Sequence, residues 1–285
     1  MTLQTVLDVP FKLGEGPLWH PQEQKLYWVD IPEGKLLYYD PASQEHGVIY
    51  QGALIGGYTM QKDGSFLLFG DKGQIGLFKE GRYTVLVEEI EQLRSTRFND
   101  VVADPVGRVF CGTMPDATGE AYLYRLDTDG SLDLVVDGIG LSNGMSFSPD
   151  KKLMYHVDSK QHFVSVFDYN AADGLLSNRR AFLELEKTEI EPDGLTVDAE
   201  GHIWIAFWNG SCVRRYAPNG EQVEEILLPA KKVTSLAFGG SELDELYITS
   251  AGGDNRPEDG PQAGALFRVK AAVRGLPEHL SGVGL

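Results

Sequence analysis

Pro21-Gln22-Glu23-Gln24 is a tight polar turn, and one residue later it gives way to Leu26-Tyr27-Trp28-Val29, a short apolar and aromatic run. Polar turns rich in Pro, Asp and Gly that lead into β-branched or aromatic runs read as turn-to-strand junctions. The same junction recurs five times. Lys62-Asp63-Gly64 precedes Phe66-Leu67-Leu68-Phe69, Asp104-Pro105-Val106-Gly107 precedes Val109-Phe110-Cys111, and Ser148-Pro149-Asp150 precedes Leu153-Met154-Tyr155. Asp198-Ala199-Glu200-Gly201 precedes Ile203-Trp204-Ile205, and Gly240-Ser241-Glu242-Leu243-Asp244 precedes Leu246-Tyr247-Ile248.

With Tyr27, Leu67, Phe110, Tyr155, Trp204 and Tyr247 as markers, the steps are 40, 43, 45, 49 and 43 residues. A period of about 40 to 50 residues is that of one four-stranded propeller blade. After each marker comes a further strand-like run, among them Leu36-Leu37-Tyr38-Tyr39, Leu123-Tyr124-Arg125-Leu126 and Leu266-Phe267-Arg268-Val269. No long stretch carries helical periodicity, although 88–93 has room for one short helical turn. The expectation is an all-β fold, a six-bladed β-propeller, rather than a two-sheet sandwich. It forms a single domain over 1–285, with 271–285 a loose C-terminal tail. The N-terminal segment 2–9 is expected to pair into the last blade and remove its open edge.

The innermost strand of a blade lines the central channel, so side chains near its mouth can converge. Eleven or twelve residues before each marker stand Glu15, Gly56, Asn99, Asn143, Asp193 and Ser235. Their settings rhyme: Gly14-Glu15-Gly16-Pro17, Phe98-Asn99-Asp100-Val101, Ser142-Asn143-Gly144-Met145 and Pro192-Asp193-Gly194-Leu195. Asn-Gly and Asp-Gly alone are ordinary turn dipeptides. Four oxygen-bearing side chains in phase with the blade period read instead as a site. Two carboxylates and two amides form an all-oxygen cluster suited to one divalent cation: Ca²⁺, Mg²⁺ or Mn²⁺ first, with Zn²⁺ and Fe²⁺ also compatible.

Composition narrows the function classes. The chain has 285 residues, 25 Lys and Arg against 42 Asp and Glu, and a net charge of −17. That charge repels phosphate backbones and anionic lipid, which argues against nucleic-acid and membrane-surface roles. Cys111 and Cys212 lie in apolar runs and read as buried free thiols rather than a disulfide or zinc site. The first residues lack a basic and apolar leader pattern, and no apolar window reaches membrane-spanning length. A soluble cytoplasmic protein, a monomer or weak oligomer, is expected. G-x-S-x-G, H-E-x-x-H and P-loop motifs are absent. His20 and His202, in or beside turns, read as solvated, His156 as structural, and Trp28, Trp204 and Trp208 as blade packing.

Leu13-Gly14-Glu15-Gly16-Pro17-Leu18-Trp19, Arg97-Phe98-Asn99-Asp100, Gly112-Thr113-Met114, Leu141-Ser142-Asn143-Gly144 and Pro192-Asp193-Gly194 resemble, in order, motifs of the gluconolactonase, senescence marker protein and luciferin-regenerating enzyme family. The resemblance runs from about residue 11 to 269. It implies a six-bladed propeller with one divalent metal, held by Glu15, Asn143 and Asp193. It also implies substrate-side roles for Asn99 and Arg97. Where some members carry a glutamate that touches substrate hydroxyls, this chain reads Pro115-Asp116-Ala117-Thr118-Gly119, so Asp116 is an approximate counterpart.

The implied activity is hydrolysis of a sugar-acid lactone, with the metal as Lewis acid and Asp193 as both ligand and general base. Substrate choice is expected to lie in 54–60, 115–120 and 252–264. Two alternatives stand beside this reading. In one, the metal is structural and the propeller binds a small molecule or a protein partner. In the other, the same site hydrolyses another ester, such as an organophosphate.

Overall fold

A computed structural model describes residues 2–284. Among these residues the chain forms six four-stranded sheets, and every strand pairing is antiparallel. The six markers all fall on the second strand of their sheet: Lys25–Asp30, Phe66–Gly70, Val109–Thr113, Leu153–Asp158, Ile203–Trp208 and Glu245–Ser250. These strands are apolar on both faces, and Trp28, Leu67, Phe110, Met154, Trp204 and Leu246 are wholly buried. Burial on both faces explains why they read as continuous apolar runs rather than alternating ones. The fourth strands, such as Glu45–Gln51 and Leu175–Glu184, are largely exposed, and their sequences are correspondingly polar.

Contacts divide the chain into two compact units. One comprises Met1–Gly52 with Leu185–Glu278, the other Ala53–Glu184 with His279–Leu285. The first unit holds three sheets. In its last sheet the N-terminal strand Leu3–Leu7 lies outermost, against Leu266–Lys270, with Thr5 opposite Phe267. The edge is thereby covered as the sequence requires. Its cores are aromatic: Trp19 stacks on Tyr247 at 5.8 Å, Phe11 meets Trp28 edge-on at 5.6 Å, and Trp204 meets Phe238 at 6.0 Å. The second unit holds the other three sheets, with Phe69 edge-on to Phe98 at 5.5 Å and Phe147 against Tyr169 at 4.8 Å.

Buried carboxylates close the turns between first and second strands. In the second unit Asp104 Oδ1 accepts the backbone N–H groups of Val106, Gly107 and Arg108, while Oδ2 accepts Arg108 Nη1 at 2.9 Å and the Tyr169 hydroxyl at 2.7 Å. In the first unit Asp198 does the same with Glu200 N, His202 N, Trp204 Nε1 and Arg215. A buried carboxylate with this many donors is compensated for the water it has lost. Both therefore serve the turns rather than a reaction. The short helical turn expected over 88–93 is a 3₁₀ turn at Glu91–Leu93.

The expectation of a loose tail over 271–285 is corrected. In the first unit, Ala199 N donates to Arg274 O at 2.9 Å and Gly275 N to Leu243 O at 2.7 Å. In the second, Ser281 N donates to Met60 O and Lys62 N to Ser281 O, both at 2.9 Å, while Ser281 Oγ meets Thr59 Oγ1 at 2.8 Å. The tail thus supplies hydrogen-bond partners for backbone groups of the turns. Gly275 allows the close approach, because a Cβ there would strike the Phe238 ring.

Burial raises the carboxyl of Glu278, in this tail, from 4.5 to about 7. The folded state therefore holds that proton where the unfolded chain has released it. Its contribution to stability is present below pH 4.5 and is lost as pH rises towards 7. Glu278→Gln should match the parent in Tm near pH 4 and exceed it at pH 8. A variant less stable than the parent at pH 8 would show that Glu278 is ionised and paired in the fold.

Candidate functional site

The six in-phase residues all lie near the start of the first strand of a sheet. Glu15 is in Gly14–His20, Gly56 in Ile55–Met60, Asn99 in Phe98–Ala103, Asn143 in Ser142–Phe147, Asp193 in Glu191–Val197 and Ser235 in Val233–Gly239. At that point the register with the second strand slips in every sheet: between Glu15 and Leu18, Ile55 and Gly57, Phe98 and Val101, Ser142 and Met145, Pro192 and Leu195, and Val233 and Leu236. A bulge frees a residue from the ladder and re-aims its side chain; Gly56, Asn99, Asn143, Asp193 and Ser235 lie within the slip, whereas Glu15 stays paired with Val29 just before it. The oxygen-bearing members are nonetheless buried, with exposures of 5 to 7%.

In the first unit, Val233–Gly239 packs between the two carboxylate-bearing strands. Thr234 Oγ1 donates to Gly14 O at 2.6 Å, next to Glu15. On the other side Gly194, next to Asp193, lies against Ser235, and a Cβ on Gly194 would stand 2.6 Å from that of Ser235. Glu15 and Asp193 thus flank Ser235. Glu15 Oε2 accepts the N–H of Gly16 at 3.0 Å, and Asp30 accepts Lys12 N and Leu13 N at 3.2 and 3.1 Å, anchoring the approach to Glu15.

The second unit holds a continuous polar chain. Arg97 Nη1 donates to Phe98 O at 2.8 Å and to Asn99 Oδ1 at 3.0 Å. Asn99 Nδ2 donates to Ser142 O at 2.9 Å and to Asn143 Oδ1 at 2.5 Å. Asn143 Nδ2 in turn donates to Ser159 Oγ at 2.7 Å. Arginine has only donors, so each amide in the series has its orientation set by the one before it. Gly56 is the in-phase position without a side chain, and a Cβ there would collide with the Phe98 carbonyl and stand 3.1 Å from Arg97 Nη1. Its bareness makes room for the arginine.

Asp116 is not joined to this chain by a direct bond. Its Oδ1 accepts Thr118 N at 2.8 Å and Thr118 Oγ1 at 2.6 Å, its Oδ2 accepts the Tyr122 hydroxyl at 3.2 Å, and these donors hold its carboxyl below the usual range. It shapes the turn 116–120. Asp100 is a functional candidate that the sequence reading passed over. Burial pushes its carboxyl up to about 7, against the opposing pull of Arg97. Its signal was a second polar residue directly after Asn99 on a strand otherwise apolar.

Other expectations resolve simply. Cys111 and Cys212 are buried and unbonded, and burial raises both thiols. Trp28 and Trp204 are buried packing residues, whereas Trp208 is half-buried with Lys232 Nζ 5.3 Å from its ring centre. His20 and His202 are half-buried rather than solvated, because each folds back on acidic residues of its own turn. Among the described residues, Asp198, Glu200 and His202 approach closely enough to share an ion. Arg215 Nη2 already bridges Asp198 Oδ2 at 2.7 Å and Glu200 Oε2 at 2.8 Å, so this group is an ion-paired turn away from the in-phase positions.

Six four-stranded sheets, with one bulged position at the head of each, define an all-β six-bladed β-propeller. Residues 13–252 match the SMP-30/Gluconolactonase/LRE-like region, and the chain belongs to that family. It is 44% identical over 292 residues to pentonolactonase XacC of Haloferax volcanii, with all of both chains covered. It is 34% identical over 290 residues to human regucalcin, covering 97% of each. Among solved structures, a calcium-binding regucalcin from Agrobacterium tumefaciens superposes with a TM-score of 0.90 at 28% identity, covering 98% of this chain and 97% of that one. A luciferin-regenerating enzyme gives a TM-score of 0.89 at 29% identity, covering 98% and 99%.

Asn99→Leu keeps the side-chain volume but deletes the middle of the amide series and strands buried partners. Urea unfolding should show a loss of about 1–3 kcal/mol. Stability equal to the parent would mean that the series is not formed in solution.

Proposed function

We propose that this chain is a lactonase that opens the ring of a sugar-acid lactone by adding water, with a pentonolactone as its substrate. The observation that carries this reading is the set of oxygen-bearing side chains at the bulged heads of the first strands, Glu15, Asn99, Asn143 and Asp193, in a chain 44% identical to a pentonolactonase over its whole length. We assign Glu15, Asn143 and Asp193 as ligands of one divalent cation. Their donor atoms are all oxygen and all three residues are buried, a set that fits Ca²⁺, Mg²⁺ or Mn²⁺ and tolerates Zn²⁺ or Fe²⁺. When bound, the cation supplies a Lewis acid for the lactone carbonyl and lowers the pKa of a water molecule.

The remaining steps fall to the chain's own residues. Arg97 presents a planar fork of N–H donors, oriented by its bonds to Phe98 O and Asn99 Oδ1, and binds the oxygens of the lactone. Asn99 holds that fork and lies on the substrate side. We assign Asp116, the approximate counterpart of the family's glutamate, to substrate hydroxyls, with Oδ2 the oxygen less used by its own turn. Asp193 accepts a proton from the attacking water as the water oxygen bonds to the carbonyl carbon. The ring carbon–oxygen bond then breaks, and the departing ring oxygen takes up that proton as a hydroxyl. One water is consumed, and the product is the open sugar acid.

Proton release from a panel of aldonolactones, corrected for spontaneous opening, tests the reading. Chelated protein should be inactive and should recover on return of Ca²⁺, Mn²⁺, Zn²⁺, Mg²⁺ or Fe²⁺, with a pentonolactone giving the highest kcat/KM. No lactone above background would overturn the reading. Asp193→Asn should lose at least about 10²-fold in kcat. Retention of both metal and full turnover would remove Asp193 as the base.

A further inference from the structure

His156 lies on Leu153–Asp158, in the sheet that carries Asn143, and both His156 and Ser142 are completely buried. Its Nε2 is 2.8 Å from Ser142 Oγ, while Nδ1 has no hydrogen-bond partner. Burial, aided by the nearby charge of Arg179, pushes the imidazole down to about 3. The ring is thus neutral at any working pH. A buried imidazole with one unpaired nitrogen costs stability relative to an apolar side chain of similar size. Packing alone therefore does not account for a histidine here.

The remaining bond leads directly to the polar series. Ser142 keeps its ladder position opposite Asp158, the register slips between it and Met145, and its hydroxyl reaches His156 across that slip. The carbonyl of Ser142 accepts Asn99 Nδ2 at 2.9 Å, and the following residue is Asn143. Gly112 leaves the space for this arrangement, since a Cβ there would stand 2.7 Å from the Ser142 Cβ. Ser142 is held by its hydroxyl on one side, and its carbonyl holds Asn99 on the other.

We propose that the His156–Ser142 hydrogen bond is a positioning element of the lactonase site. By holding the backbone at Ser142, where the bulge begins, it sets the amide of Asn99, the fork of Arg97 that Asn99 anchors, and the donor oxygen of Asn143. This rests on the roles assigned above to Arg97, Asn99 and Asn143. Neither His156 nor Ser142 touches substrate or exchanges a proton with it.

Ser142→Ala, His156→Phe, His156→Gln and the double variant Ser142→Ala/His156→Phe would be compared with the parent. Three readouts apply: kcat and KM on the best lactone from pH 6 to 9, the Kd for Mn²⁺ from calorimetry on chelated protein, and Tm. Each single variant should lower kcat/KM and weaken Mn²⁺ binding by about ten- to a hundredfold. The double variant should be no worse than the poorer single one, and His156→Gln should recover part of both losses. The shape of the pH profile should not change, because the imidazole does not titrate in that range.

Activity and Mn²⁺ affinity within twofold of the parent in Ser142→Ala would overturn the proposal. So would losses that multiply in the double variant, or a pH-profile limb that disappears with His156. If His156→Phe does not fold, Ser142→Ala, which removes a single oxygen, carries the test alone. A parent protein without lactone turnover would instead overturn the lactonase reading. The Mn²⁺ titrations of the same variants would still decide whether the bond positions Asn143.

Discussion

Each first strand must satisfy two demands at its head: keep its backbone paired and release one side chain from the alternation that pairing imposes. In a regular strand successive side chains point to opposite faces, and shifting the register moves every one of them. The solution repeated in all six sheets is a local slip at the in-phase residue, or directly after it in the case of Glu15, beyond which the ladder resumes. The short first-strand heads, the glycines beside them and the buried second strands all follow from that requirement. Without the slips, the oxygens of Asn99, Asn143 and Asp193 would be committed to the faces that regular alternation dictates.

Freed residues at buried positions need fixed partners, and neighbouring first strands provide them. Asn99 reaches across to the Ser142 carbonyl and Thr234 to the Gly14 carbonyl, while Gly112 and Gly194 give up side chains where Ser142 and Ser235 pack. Polar networks buried in this way are rigid because an unmade bond there is costly. The turns at the other ends of these strands obey the same rule with charge: Asp104 and Asp198 gather backbone N–H groups, arginine and an aromatic donor into closed sets. The carboxylates of the fold differ in company. Those at the turns are surrounded by fixed donors, whereas burial raises the carboxyl of Asp100 above the usual carboxylate range.

The blade period, the six second strands, the covering N-terminal strand and the in-phase positions were legible because each depends on local chemistry. Turn residues, aromatic runs and spacing survive in the linear order. The packed tail was not legible. Its residues Gly275, Ser281 and Gly282 have no periodicity, and their partners at Leu243, Met60 and Gly107 are distant in sequence. Asp100 was passed over for a similar reason, since its raised pKa comes from desolvation by surroundings that no motif records.

Six similar sheets, each with one in-phase position at its head, are written in the linear order, because a strand's length, turn and apolar pattern are encoded within about 45 residues. What each of those positions does depends on how the strands pack. Asn99 became the link between an arginine and a second amide, Gly56 became a space, and His156 became the support beneath Ser142. Those roles depend on distances between neighbouring strands whose residues lie about 14 to 44 positions apart in the chain, set by packing and by the need to pair every buried polar group.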